Sequence, residues 1–367
     1  MKFTPLSIIT VAILLVSSPV SLAIPAAKNT FNNVTQPFSI PPLIAERVTM
    51  PTILPAVNLF AEKMALIANG LLPENVAQIH GLGLNSSLFD FDAAHSGISR
   101  RANVYATAAK IDELTKYAQF SANSYCPSVQ ASNWTCTYCY KDDILVSVFK
   151  SSKYDINGYI SRNDKTKVIT LVFRGSITKP NFIADIKLIQ QDYPPVPGTK
   201  VHTGFYEAYM DAQKEILKAM TEQITKYPDY KTVVIGHSLG AGIAVLAGLD
   251  LFQRDSRFNA KNLSIITLGG PRVGNPYFAY YATGTGIPLE RIVNKRDVIA
   301  HMPSQALNYL HFGTEYWNKS DNRIKICDDA LDSPDCSNSI VPFTSFRDHF
   351  TYLGIYFICK AENVHIL

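Results

Sequence analysis

The sequence has little charge and no block of one sign. Charged residues make up 17% of its 367 residues, and 34 Lys and Arg stand against 30 Asp and Glu, giving a formal net charge of +4. A net charge this small, without a basic cluster, argues against a nucleic-acid partner. The chain also lacks an internal repeat, which argues against repeat architectures. Hydrophobic residues account for 47%, so we expect a globular protein with a sizeable core.

The sequence contains no hydrophobic run long enough to span a membrane. Its N-terminal apolar run, residues 6–16, falls short of the ~20 residues that a spanning helix needs. Lys2 precedes the run, and Ser21-Leu22-Ala23 follows it as a small-x-small cleavage site. These features predict a signal peptide over residues 1–23, and hence a secreted, extracellular protein without a stable membrane anchor.

Cysteine is absent from residues 24–101, which are rich in Pro, Asn and Ala and end at Ser99-Arg100-Arg101. Apolar residues at helical spacing over residues 57–72 predict a helix that docks on another surface. We interpret 24–101 as a pro-segment that is removed near Arg101 after export. The alternative is a loosely ordered N-terminal region with a chance pair of arginines.

All six cysteines follow this boundary: Cys126, Cys136, Cys139, Cys327, Cys336 and Cys359. An even number in an exported chain favours three disulfides, although spacing leaves their pairing open. Cys136 and Cys139 form a C-x-x-C pair, but without a second pair or a nearby histidine a zinc site is not expected. We predict no metal or organic cofactor. Five N-glycosylation sequons fit a secreted glycoprotein: Asn33, Asn85, Asn133, Asn262 and Asn318.

Strand and helix patterns alternate over residues 102–367. Short apolar runs at 168–173, 232–235 and 263–268 predict buried strands, and 205–227 and 239–251 predict helices. Strands alternating with helices indicate a mostly parallel central sheet with helices on both faces. We therefore predict one α/β domain over residues 102–367.

The segment Gly236-His237-Ser238-Leu239-Gly240 matches G-x-S-x-G between a predicted strand and a predicted helix. On so tight a turn the serine backbone is strained and its hydroxyl is exposed, while glycines on both sides avoid collisions. The pattern predicts that Ser238 is a nucleophile. The alternative is a glycine-rich turn with a serine that caps the helix.

A serine nucleophile needs a histidine base and an acid that orients it, in the chain order Ser, Asp or Glu, His. Asp297 follows a predicted strand at 291–294, so it is the candidate acid. Four histidines follow Ser238 in the sequence: His301, His311, His349 and His365. His311 has a core-like setting and His365 is nearly terminal, which leaves both His349 and His301 as candidate bases.

Two further features lie near the predicted nucleophile. The Leu239 N–H and the turn at Ser176 could supply the two donors of an oxyanion hole. Just after Ser176, the apolar side chains of Phe182, Ile183 and Ile186 share one helical face, whereas Asp185 lies on another. We predict a short helical lid that contacts substrate and opens at a lipid surface. The alternative is a fixed surface helix.

Together these motifs resemble those of the filamentous-fungal triacylglycerol lipases of the Rhizomucor and Rhizopus type, the class 3 lipases. The resemblance covers roughly residues 110–359 and rests on "SANSYC", "FRGS", "GHSLGAG", "GPRVGNP", "VNKRDVIAHMP" and "DCSNSIVPFTSFRDH", in that order. This chain departs from many relatives at Phe182, where a tryptophan is common, at Pro180, and at Ala241, where a second glycine is common.

The resemblance implies an α/β-hydrolase fold and favours His349 over His301. It also implies nucleophile Ser238, acid Asp297, an oxyanion hole of Ser176 and Leu239, a lid over 178–186 and removal of a pro-segment. The implied disulfides are Cys126–Cys359, Cys136–Cys139 and Cys327–Cys336.

We therefore predict a serine ester hydrolase that cleaves triacylglycerols at an oil–water interface, with a lipid substrate as its partner. Alternatives are an esterase acting on phospholipids or feruloyl esters, and a binding protein of the same fold without catalysis. A monomer is expected, although the sequence leaves the oligomeric state open.

Overall fold

The computed structural model describes residues 104–151, 153–175, 189–320, 323–328, 330–357 and 359, all within one compact unit that spans residues 40–367. The predicted signal peptide and pro-segment, the apolar pattern at 57–72 and the predicted lid lie outside the described residues. No helix in the described part of the chain is long and apolar enough to cross a membrane.

Thirteen strands and five α-helices form within the described residues. The strands are β1 Val104–Tyr105, β2 Asp143–Ser151, β3 Ile156–Asn163, β4 Val168–Phe173, β5 Gln190–Asp192, β6 Lys200–His202, β7 Lys231–His237, β8 Leu263–Leu268, β9 Leu289–Asn294, β10 Thr314–Ser320, β11 Arg323–Cys327, β12 Thr351–Tyr352 and β13 Ile355–Tyr356. The helices are α1 Ala108–Asn123, α2 Pro127–Gln130, α3 Thr203–Lys226, α4 Leu239–Arg254 and α5 Pro276–Gly284.

Nine strands form one mixed sheet in the order β1-β11-β10-β9-β8-β7-β4-β3-β2. The five strands β4, β7, β8, β9 and β10 are parallel, as predicted. Both edges are antiparallel, because the connections β2–β3, β3–β4 and β10–β11 are hairpins too short for a crossover helix. Parallel strands bring their carboxyl ends to one edge of the sheet, where the candidate site lies.

Helices cover both faces of the sheet, and the alternation of side chains along each strand separates two cores. On β7, Val234 points to the face packed by α3 and α4, whereas Val233 and Ile235 point to the face packed by α1. Helix α4 is buried from Gly240 to Gln253, as its continuous apolar pattern predicts. It therefore packs rigidly on the strands that lead to the site.

Three disulfides join Cys126 to Cys359, Cys136 to Cys139 and Cys327 to Cys336. These are the pairs that the family resemblance implies. The first links residues 233 positions apart, so it ties the end of α1 to the end of the described chain. Such a long-range crosslink stabilises the fold mainly by restricting the unfolded chain.

A buried ion pair holds the loop that follows β9. The Arg272 guanidinium binds both carboxylate oxygens of Asp332, at 2.7 and 3.1 Å, and both side chains are almost fully buried. Its remaining amino group donates to the backbone carbonyls of His301 and Pro303. Burial alone would raise the pKa of Asp332, but the nearby cationic groups hold it well below its ordinary value. Arg272 thus ties the segment after Asp297 to a distant loop.

Replacing Asp332 by Asn is expected to lower the free energy of unfolding by about 3 kcal/mol or more, because the buried Arg272 charge loses its partner. Urea unfolding followed by circular dichroism measures this. The matched control is Asp229→Asn, which breaks the exposed pair Lys167–Asp229 and should leave the unfolding midpoint unchanged. Equal midpoints for Asp332→Asn and the parent would contradict a structural role for the pair.

Candidate active site

Ser238 occupies a sharp turn between β7, which ends at His237, and α4, which begins at Leu239. Its φ of 58° and ψ of −130° are strained for a residue with a side chain. Its N–H donates to the Leu268 carbonyl on β8 at 3.0 Å, so the neighbouring strand holds the turn. This is the strand–turn–helix context that the G-x-S-x-G pattern requires.

The positions on either side of Ser238 have room only for glycine, because the backbone of the helix and the backbone of the strands lie in close contact there. A Cβ on Gly236 would lie 2.2 Å from the Gly240 carbonyl oxygen. A Cβ on Gly240 would lie 2.5 Å from the Arg174 carbonyl oxygen, at the end of β4. Both distances are far below van der Waals contact, so any side chain would push α4 away from the strands. The close approach of helix and strand that the sequence predicts is thus present in the structure.

Asp297 and His349 are brought together although 52 residues separate them. Asp297 lies three residues after β9 and is fully buried, and its Oδ2 accepts a hydrogen bond from His349 Nδ1 at 2.8 Å. The Ile299 N–H donates to Oδ1 at 2.8 Å, and the Tyr352 hydroxyl donates to Oδ2. Three donors therefore stabilise the carboxylate charge. Since a carboxylate only accepts, His349 carries its proton on Nδ1 and leaves Nε2 as a base.

His237 links Ser238 to His349. The rings of His237 and His349 stack with centroids 4.6 Å apart, and Ser238 follows His237 directly. Both Ser238 and His349 are buried beneath neighbouring side chains, at 5% and 4% exposure. Among the described residues, no hydrogen bond joins the Ser238 hydroxyl to the His349 ring in this conformation. Such bonds often tighten only when substrate binds.

The other candidate histidines have structural surroundings. His301 Nδ1 bonds the Asp297 backbone carbonyl at 2.7 Å, and His311 Nε2 bonds the Ala300 carbonyl at 2.7 Å. Burial lowers the pKa of His311 well below its ordinary value. Both rings therefore brace the loop that carries Asp297. His365 lies outside the described residues.

A hydrogen-bonded relay that the sequence does not reveal runs beside the nucleophile. The Gly175 N–H donates to the Tyr125 hydroxyl at 2.9 Å, and that hydroxyl lies 2.6 Å from His237 Nδ1. His237 Nε2 lies 3.0 Å from the His349 carbonyl oxygen. Burial, and then His349, lower the pKa of His237 well below its ordinary value, so its ring is neutral. Tyr125, His237 and Tyr352 are the site residues to which the sequence analysis assigns no role, because their hydrogen-bond partners lie far away in the chain.

The predicted oxyanion hole is described only in part. Leu239 begins α4 directly after the nucleophile, where helix N–H groups are free of intrahelical partners. Ser176, Phe182, Ile183, Asp185 and Ile186 lie outside the described residues. Gly175, the residue before Ser176, is so close that an added Cβ would lie 2.8 Å from the Ser238 Cβ. The end of β4 therefore abuts Ser238.

Exposed aromatic side chains surround the catalytic histidine candidate. Phe346 and Phe350 flank His349 with ring centroids 6.1 and 5.7 Å from its ring, and both are more than two-fifths exposed. Phe343 is 75% exposed on the same loop. A cluster of exposed phenylalanines next to a buried polar site is typical of a surface that meets an apolar ligand.

One group in the described residues brings three possible metal ligands together, namely Glu315, Cys327 and Cys336. All three are already engaged. The two sulfurs form a disulfide, and Glu315 binds Arg291 at 3.1 Å and the Ser337 N–H at 2.9 Å.

Comparison with known proteins supports the same chemistry. The family model described as Lipase (class 3) matches residues 170–307. The lipase of Rhizomucor miehei is 42% identical over 323 residues, which cover 86% of this chain and 88% of that protein. A solved triacylglycerol lipase with a catalytic centre described as a serine protease triad is 44% identical, with a TM-score of 0.68 over 70% of this chain and 98% of its own.

A solved complex of Rhizomucor miehei lipase with its propeptide is 42% identical, with a TM-score of 0.69 over 72% of this chain and 88% of that chain. These matches agree with the strained serine turn and the buried Asp297–His349 pair. The chain is a member of the class 3 lipase family.

Proposed function

We propose that this protein is a secreted triacylglycerol lipase that forms an acyl-enzyme at Ser238. The carrying observation is the buried hydrogen bond between Asp297 and His349 beside a serine on a strained turn. A serine hydroxyl is a poor nucleophile without a base, and this arrangement supplies the base in its correct tautomer. The triacylglycerol lipase among the solved relatives supports the substrate class.

In the proposed acylation step, the Ser238 hydroxyl transfers its proton to His349 Nε2 while Oγ bonds to the ester carbonyl carbon. The carbonyl oxygen becomes an oxyanion, which the N–H of Leu239 and the N–H and hydroxyl of Ser176 stabilise. The intermediate then breaks its bond to the glycerol oxygen, and this oxygen takes the proton from His349. The partial glyceride leaves, and the fatty acyl group remains on Ser238.

Water completes the proposed cycle. His349 takes a proton from a water molecule as its oxygen bonds to the acyl carbon, and the proton then returns to Ser238 as the fatty acid leaves. Asp297 stays ionised throughout and stabilises the transient imidazolium, with Tyr352 and the Ile299 N–H supporting its charge. The exposed Phe343, Phe346 and Phe350 would contact lipid, together with the predicted lid residues Phe182, Ile183 and Ile186.

Ser238→Ala and Asp297→Asn are each expected to lower kcat on emulsified triolein by on the order of 10⁴-fold or more. The first removes the nucleophile, and the second removes the acceptor that fixes the His349 tautomer. Fatty-acid release measured by titration at constant pH gives the rates. Asp348→Asn is the matched control, because Asp348 neighbours His349 but its carboxylate faces the Arg296 N–H, and activity should persist.

A folded Ser238→Ala variant that hydrolyses triolein at the parental rate would overturn the nucleophile. A second outcome is that the parent cleaves a feruloyl ester far faster than triolein while Ser238→Ala loses both activities. This outcome would support the catalytic triad and contradict the lipid substrate.

We further propose that residues 1–23 are a signal peptide and residues 24–101 a pro-segment of this domain. The dibasic pair at Arg100-Arg101 and the propeptide complex of a relative support the proposal. N-terminal sequencing of the enzyme secreted by a fungal host should begin close to residue 102, and Arg100→Ala with Arg101→Ala should yield a longer chain. Secreted material from both forms beginning before residue 90 would contradict processing at this pair.

A further inference from the structure

We propose that Asn133 carries an N-linked glycan and that Asn262 and Asn318 carry none in the folded protein. Asn133 and Thr135, the acceptor and hydroxyl residues of this sequon, are both exposed. Between them, Trp134 is anchored by an edge-to-face contact with Tyr159 at 5.3 Å, and its ring N–H donates to the Tyr140 carbonyl at 3.0 Å. The acceptor residue is therefore exposed beside an anchored tryptophan.

The other two described sequons use their amides within the fold. Asn318 is 6% exposed, and its Nδ2 donates to Asn294 Oδ1 at 2.9 Å between neighbouring strands. Asn262 donates from Nδ2 to the Arg257 carbonyl at 2.7 Å and accepts from the Asn259 N–H at 2.9 Å. A sugar on Asn318 would have to enter a buried site between two strands. A sugar on Asn262 would crowd the Arg257 carbonyl that its amide binds. Asn33 and Asn85 lie outside the described residues.

Glycosylation bonds the amide nitrogen of Asn133 to the anomeric carbon of an oligosaccharide donated by a lipid diphosphate, and the amide loses a proton as the diphosphate leaves. On secreted protein from yeast, endoglycosidase treatment should therefore shift the mass. Enzymatic release of the glycan in ¹⁸O-water should mark Asn133 as a labelled aspartate. Asn133→Gln should abolish the mass shift, and Asn262→Gln should leave it intact. Unmodified Asn133 peptide, or sugar on Asn318, would overturn the assignment.

A second observation, independent of the first, concerns the relay beside Ser238. The His349 carbonyl can only accept, so His237 Nε2 carries the ring proton. His237 Nδ1 must then accept from the Tyr125 hydroxyl, whose oxygen accepts from the Gly175 N–H. Every bond in the chain therefore has one direction. Stacking on Phe357, with ring centroids 3.8 Å apart, further fixes the His237 ring.

We infer that Tyr125 and His237 are positioning residues that set the catalytic base and the oxyanion side of the site relative to the nucleophile. The relay joins the backbone of His349 to the backbone that precedes Ser176, and its middle member is the residue before Ser238. This inference rests on the proposed roles of Ser238, His349 and Ser176. Misplacement of reacting groups by about 1 Å can cost ~10²-fold in rate, so small shifts at either end matter.

Tyr125→Phe is expected to lower kcat on a soluble p-nitrophenyl ester by about 10- to 100-fold with KM nearly unchanged. Affinity for an alkyl boronic acid, which resembles the tetrahedral intermediate, should fall by a similar factor. The matched control is Tyr159→Phe, a fully buried tyrosine whose hydroxyl donates to the Phe120 carbonyl at 2.8 Å. Its loss should lower thermal stability and leave kcat and boronate affinity intact.

A double-mutant cycle separates positioning from general damage. His237→Gln keeps a donor that can reach the His349 carbonyl but removes the ring nitrogen Nδ1 that accepts from Tyr125, so its effect and that of Tyr125→Phe should be less than additive. Equal kcat values for Tyr125→Phe, Tyr159→Phe and the parent would overturn the relay. If the kcat values were equal but Ser238→Ala lost all activity while the parent was active, the relay would be wrong and the proposed function would still stand.

Discussion

The close approach of helix α4 to the ends of strands β4 and β7 is the constraint on which the site depends. Gly236 and Gly240 allow backbone to meet backbone at distances that no side chain would permit. The chain can then reverse at Ser238 only through a strained, positive-φ conformation. The strain is held by the buried sheet on one side and the buried helix on the other, so the fold fixes the position of the serine.

The second part of the site depends on loops rather than on the sheet. Asp297 and His349 lie on separate connections, and neither belongs to a strand. Arg272, His301 and His311 bind carbonyl groups along the segment 297–303 and so hold Asp297 in place. The Ile299 N–H and the Tyr352 hydroxyl fix the Asp297 carboxylate, which in turn orients the His349 ring.

Local sequence predicts those parts of the site whose geometry is local. The strand, the glycines and Ser238 lie within five residues of one another, so steric rules suffice. The choice between His349 and His301 depends on a contact across 52 residues, which local patterns hardly record, and the family resemblance is what separated the two. Tyr125 and His237 meet across 112 residues, which no periodicity records. The antiparallel edges were missed because the short hairpins resemble ordinary loops, and the oxyanion residue Ser176 and the lid remain predictions.

The exposed phenylalanines beside His349 have a consequence for kinetics. In water these rings leave apolar area uncovered, and adsorption to an oil droplet would bury it at roughly 25 cal/mol for each Å². Because Phe346 and Phe350 flank the His349 ring, adsorption through them would turn this side of the site toward the droplet. For such an enzyme, turnover in an emulsion follows the area of the droplets and the number of adsorbed molecules rather than the amount of dissolved ester.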